Sequence, residues 1–135
     1  MLLQRERELV AKYGRKMLEE GLTRGTSGNI SIFNREKGLF AISPSGVPYK
    51  DVQAKDVVVL DLDGKQVDGD LTPSSEHDMH RIFYVKRDDI NALVHTHSQA
   101  CAAYSCLRKT LPAFHYMLAV AGPDVRCAKY ASYGT

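Results

Sequence analysis

The sequence predicts an α/β protein, and three stretches carry that reading. Residues 3–20 repeat apolar side chains on a helical period, with Leu9, Tyr13 and Met17 in one row and Val10, Gly14 and Leu18 in the next. Residues 29–33 alternate Ile30 and Ile32 with polar neighbours, as a half-buried strand does. Residues 57–62 are a β-branched run suited to a buried strand.

The other elements follow from turn chemistry. Gly21 is a natural stop for the first helix. A polar, glycine-bearing loop spans residues 23–28, and residues 39–42 read as the hairpin partner of the strand that follows it. Ser43-Pro-Ser-Gly46 is a second small-residue loop. Asp63-Gly64 turns the chain so that residues 65–67 can pair back. Thr72-Pro-Ser-Ser-Glu76 leads into a helix that runs to about Val85, with Ser75 and Asp78 spaced as in a capping box. A strand is expected over residues 90–97, a helix over 98–107 and a short strand near 125–128. No repeat or linker interrupts the chain, so residues 1–135 read as a single domain.

Composition excludes several function classes. The chain is 44% hydrophobic, enough to build a core without disulfides. Eighteen basic residues against 16 acidic ones give a net charge of +2, which offers nothing to a nucleic acid or an anionic membrane. Cys101, Cys106 and Cys127 are odd in number and have no zinc-ribbon or redox spacing, so they read as free thiols. The mixed charges near Met1 are unlike a signal peptide, and no apolar run approaches the length of a membrane span. A cytoplasmic location is the expectation.

The residues with chemical potential fall in three groups. Val94-His95-Thr96-His97 places two imidazoles at i and i+2 of the expected strand, on one face, where they can share a metal ion. Pro73-Ser74-Ser75-Glu76 sits at a helix start, where backbone N–H groups and hydroxyls suit an anion. The alternative for this stretch is a simple N-cap. Glu76 can act as a base or ligand only if the fold brings it beside the metal. The loops at Gly25-Thr-Ser-Gly-Asn29 and Ser43-Pro-Ser-Gly46 have the small residues and backbone donors of a phosphate cradle, without a nucleotide-binding fingerprint. His80 lies one turn after Glu76 on the same face, and structural hydrogen bonding is its expected role. His115, in an apolar stretch, reads as a buried and satisfied histidine.

In this order the motifs, together with Ala113-Phe-His-Tyr-Met117, resemble the class II aldolases of the fuculose-phosphate aldolase type. The wider family includes ribulose-phosphate 4-epimerases, rhamnulose-phosphate aldolases, methylthioribulose-phosphate dehydratases and the non-catalytic adducin head domains. The resemblance implies a three-layer α/β/α fold around a mostly antiparallel sheet, a homotetramer with sites at subunit interfaces, and one zinc ion per subunit. It implies that His95 and His97 bind zinc and that Glu76 is the acid/base residue. Gly28, Asn29, Ser45, Gly46, Ser74 and Ser75 would bind the phosphate of a small sugar phosphate. Tyr116 and Tyr133 would approach the aldehyde half. The expected reaction cleaves a ketose 1-phosphate into dihydroxyacetone phosphate and a short aldehyde such as lactaldehyde. Glu at position 76 leans toward an aldolase, since the 4-epimerases look different there, with Asp. The family's third zinc histidine lies downstream of Tyr133-Gly-Thr135, so the chain is expected to be the N-terminal portion of such a domain.

Overall fold

Helix α1 (Gln4–Glu19) forms where the apolar period places it. Its buried stripe is Arg7, Val10, Ala11, Gly14 and Met17, while Tyr13 faces outward. The expected Leu9–Tyr13–Met17 row is therefore rotated. Arg7 sets the rotation, because its guanidinium reaches inward to the Leu2 and Val57 carbonyls and to Asp68.

In a computed structural model that describes residues 1–132, two compact units are present, one from Met1 to His97 and one beginning at Ser98. The first is built on five strands: β1 (Asn29–Asn34), β2 (Leu39–Ile42), β3 (Val58–Asp61), β4 (Gln66–Asp68) and β5 (Ala92–His95). Their order is β4-β3-β2-β1-β5, and every pair is antiparallel. The first four strands form a meander: the β1–β2 and β3–β4 hairpins are those the sequence predicts, and the β2–β3 pairing joins them. Strand β5 returns after helix α2 (His77–Lys86) to pair with β1 at the sheet edge.

Alternation in the strands supplies two apolar faces. One carries Ile30, Ala41, Val57 and Val59 against Val10, Ala11 and Met17 of α1. The other carries Phe33, Phe40, Ile42, Val58 and Leu60 against Tyr84 of α2, whose ring stacks on Phe33 at 4.9 Å. Burial on both faces explains the unbroken apolar run in β3. The result is the α/β/α layering expected.

Several boundaries differ from the sequence reading. Helix α2 begins after Glu76, which occupies the N-cap position itself; Ser75 does not, and Asp78 pairs instead with Arg81 at 2.7 Å. Strand β5 covers only Ala92–His95, so His97 lies beyond its end. A one-turn 3-10 segment at Ala54–Asp56 was not anticipated.

The second unit contains α3 (Gln99–Ser105), β6 (Leu111–Pro112), α4 (Tyr116–Ala119) and β7 (Asp124–Val125), with β6 and β7 paired antiparallel. Ser98 caps α3 by accepting from the Cys101 N–H. His115 is exposed rather than buried, because its ring serves as the N-cap of α4 and accepts from the Met117 N–H at 3.2 Å. The short strand ends at Val125, before Cys127 and Ala128. No described helix is long and apolar enough to cross a membrane.

Candidate metal centre

Pairing register brings the site together. Asn29 of β1 lies directly opposite His95 of β5, and Ser31 opposite Leu93. Directly paired residues project to the same face. Asn29, Ser31 and Phe33 therefore line the face covered by α2, and His95 joins them at one end.

Helix α2 answers with Glu76 at its N-cap, then His80 and Tyr84, one turn apart each. Four helical residues rise about 6 Å, close to the roughly 6.8 Å of two strand residues. The two rows therefore run in step. Asn29 Nδ2 donates to Glu76 Oε2 at 2.6 Å, and the other Asn29 atom, Oδ1, lies 2.5 Å from His80 Nε2. His80 Nδ1 lies 2.6 Å from Ser31 Oγ, which lies 2.5 Å from the Tyr84 hydroxyl. Phe33 completes the series by stacking on Tyr84.

Burial fixes the protonation states along this row. His80 is fully buried and its pKa falls to about 4, first through desolvation and then through the charges of His95 and His77. The ring is neutral at pH 7. Burial raises the Tyr84 hydroxyl to about 12, so it keeps its proton.

At the open end of the row stand Glu76, His95 and His97, one ligand atom of each lying within 4.8 Å of the others. Glu76 Oε2 and His95 Nε2 are 3.6 Å apart, and the two imidazole centroids 4.8 Å apart. The first distance is long for a hydrogen bond. Two ligands about 2.05 Å from a tetrahedral ion stand roughly 3.4 Å apart, so the spacing suits one cation. His97 reaches the cluster although it lies past the regular strand. Glu76 and His95 are half-buried and His97 is exposed, which leaves an approach for a further ligand.

The glycine-bearing loops lie beside this centre. Gly28 adopts φ +71°, and a Cβ there would meet the His95 carbonyl oxygen at 2.5 Å. The loop thus needs glycine for both conformation and closeness. The Gly28 carbonyl accepts from the Tyr49 hydroxyl at 2.9 Å, and the Thr23 hydroxyl donates to the Ser27 carbonyl. The other two loops are tied together by a bridge between Pro44 and Pro73, with Ser45 N–H donating to Thr72 O at 2.9 Å and Ser74 N–H to Ser43 O at 3.1 Å. Ser45, Gly46 and Ser75 are exposed, whereas Ser74 is buried and its hydroxyl accepts from the Glu76 N–H at 3.3 Å. Asn29 is buried with both amide atoms engaged, leaving one Nδ2 hydrogen for any other acceptor. Tyr116 belongs to the second unit, where it opens α4 and is 76% exposed. Tyr133 lies outside the described residues.

The sequence reading missed Ser31 and Tyr84 as partners of the site. Their signal was present, since Glu76, His80 and Tyr84 share a helix face and Asn29, Ser31 and Phe33 share a strand face. What was missing was which helix covers which strand.

An α/β/α layer structure carrying two histidines and a carboxylate at a sheet edge defines a candidate mononuclear metal centre flanked by anion-suited loops. The chain belongs to the Class II Aldolase and Adducin N-terminal domain family, which it matches over residues 8–135. It is 58% identical over 135 residues to the 5-deoxy-D-ribulose 1-phosphate aldolase of Bacillus thuringiensis serovar kurstaki, covering all of this chain and 63% of that protein. It is 42% identical over 121 residues to the L-fuculose phosphate aldolase of Escherichia coli K12, covering 89% of this chain and 55% of the relative. A solved L-fuculose 1-phosphate aldolase superimposes with a TM-score of 0.90 at 51% identity, over 96% of this chain and 61% of that one. The chain therefore spans a little more than half the length of these relatives.

Proposed function

We propose that the chain is the N-terminal portion of a class II aldolase domain that cleaves a ketose 1-phosphate to dihydroxyacetone phosphate and a short aldehyde. The observation that carries this reading is the convergence of Glu76, His95 and His97 beside the glycine-bearing loops. The activities named for these relatives favour a substrate of this class, either a 5-deoxypentulose 1-phosphate or fuculose 1-phosphate. These release acetaldehyde and lactaldehyde respectively.

His95 and His97 would hold a zinc ion, with Glu76 as a further ligand only until substrate arrives; imidazole and carboxylate donors suit this borderline cation. When bound, it supplies Lewis-acid polarisation of the ketose oxygens. Gly28, Asn29, Ser45, Gly46, Ser74 and Ser75 are assigned to the substrate phosphate, which backbone N–H groups and hydroxyls bind through uncharged donors. Holding that phosphate fixes the reacting carbons relative to Glu76. In the condensation direction, the Glu76 carboxylate removes the proton from the hydroxymethyl carbon of dihydroxyacetone phosphate. In cleavage it returns that proton. Tyr116 and Tyr133 are assigned to the aldehyde half, and assembly as a homotetramer is part of the same proposal.

The test is product analysis with the full-length protein, zinc and each ketose 1-phosphate. Dihydroxyacetone phosphate with acetaldehyde or lactaldehyde is expected. An epimerised or dehydrated sugar, or no turnover of either ketose, overturns the aldolase reading.

A further inference from the structure

The hydrogen-bonded row behind Glu76 has a direction, and that direction bears on the carboxylate. Glu76, when ionised to act as a base, can only accept, so the Asn29 atom facing it at 2.6 Å must be the Nδ2 donor. Asn29 then presents Oδ1 to His80, which must donate from Nε2 at 2.5 Å. A neutral imidazole with its proton on Nε2 has a bare Nδ1, which accepts from Ser31. Ser31, having donated, accepts from Tyr84. Each member has one role, and reversing any of them would aim the Asn29 oxygen at the carboxylate. The imidazole tautomer and the amide orientation are thus locked to each other.

The row is also closed to water. Asn29 is 3% exposed, Ser31 and His80 0%, and Tyr84 2%, so no solvent molecule substitutes for a missing member. An asparagine amide passes no proton onward under ordinary conditions, so the row ends as an orienting contact and not as a proton path.

We propose that His80 is a positioning residue that, through Asn29, fixes the Glu76 carboxylate beside His95 and His97 for proton transfer. In this role Asn29 serves the base as well as any anion in the adjoining loop. The inference rests on the aldolase reading for its kinetic consequence, but its structural core does not.

Two measurements test it. Long-range proton–nitrogen NMR of the full-length protein, labelled at histidine, should show His80 neutral with its proton on Nε2 at pH 7. A proton on Nδ1, or a charged ring, overturns the inference. In the zinc-loaded enzyme, His80→Phe fills the space but cannot donate. It should lower kcat on the order of 100-fold, the scale of a misplaced catalytic group, with KM and zinc content changed less than about threefold. His80→Gln, which restores an N–H toward Asn29, should recover kcat about tenfold relative to His80→Phe. A purely structural histidine would instead lower stability and leave kcat alone, and that result overturns the inference. So does a His80→Gln variant no better than His80→Phe. Should His80→Phe fail to fold, the tautomer of the unmodified protein decides. A wild-type protein that cleaves no ketose 1-phosphate sinks the aldolase reading, and the tautomer still decides the role of His80.

Discussion

Nε2 of His95 stands 3.6 Å from Oε2 of Glu76, across the gap between the last strand of the sheet and the N-cap of the helix that covers it. Neither residue bonds the other at that distance, and His97 adds a third donor from beyond the strand end. Removing an imidazole should therefore weaken metal binding rather than the fold. His95→Ala and His97→Ala are expected to lose zinc affinity by more than about 100-fold, beyond the range for loss of an outer partner. Metal content after dialysis, with circular dichroism as a fold control, checks this. Equal zinc in the variants would remove the pair from the site.

Gly28 couples the phosphate-type loop to the same strand. A Cβ at this position would fall 2.5 Å from the His95 carbonyl, at a φ of +71°. Gly28→Ala should destabilise the protein by at least about 1–2 kcal/mol from the backbone conformation alone, before the clash is counted. Urea denaturation measures the first effect. Zinc titration should also show weaker binding, because relief of the clash displaces His95.

The Arg7 guanidinium makes two hydrogen bonds and one ion pair, of which the ion pair reaches β4. Its Nε donates to Leu2 O at 2.8 Å, Nη1 donates to Val57 O at 2.5 Å, and Nη2 lies 2.7 Å from Asp68. Arg7→Met keeps the apolar stem and leaves the two carbonyls without this donor, an expected loss of about 2–4 kcal/mol. Arg7→Lys should restore little, since an ammonium cannot span the three acceptors. A midpoint in urea unchanged by Arg7→Met would show the guanidinium to be dispensable.

His80 makes stability depend on pH. Its folded pKa is depressed to about 4 from a usual 6.5, so the unfolded chain binds the extra proton between those values. Stability contributed by the neutral ring is present above pH 6.5 and is lost as pH falls toward 4. The full effect is about 3 kcal/mol at 1.36 kcal/mol per unit. The groups facing the ring are Asn29, Ser31 and the charges of His95 and His77. Denaturation of the metal-free protein from pH 7.5 to 4.5 should show this slope. A His80→Gln variant should flatten it.

Much of the first unit was legible because its signals are local. The hairpin of β1 and β2, the covered strand β3 and the turn at Asp63-Gly64 each follow from residues close together in the chain. His95 and His97 were legible as a pair, but the reason for their sharing a site changed. A regular strand was to align them by its pleat, whereas β5 ends at His95 and the following backbone carries His97 to the cluster. Tyr13 was misplaced because periodicity measures apolar spacing and cannot see Arg7 choosing buried acceptors.

The sequence by itself determined the α/β class, the two hairpins of the sheet and the side-chain types offered at Glu76, His95 and His97. Those properties depend on side-chain type and on spacing within one element. Only the tertiary structure decided that Asn29 faces His95 across a strand pair and that Glu76, His80 and Tyr84 lie in step with Asn29, Ser31 and Phe33. That match depends on which strand lies next to β1 and which helix covers it. Both are settled by burying two apolar faces at once, a condition met by the whole sheet and by no single segment of the chain.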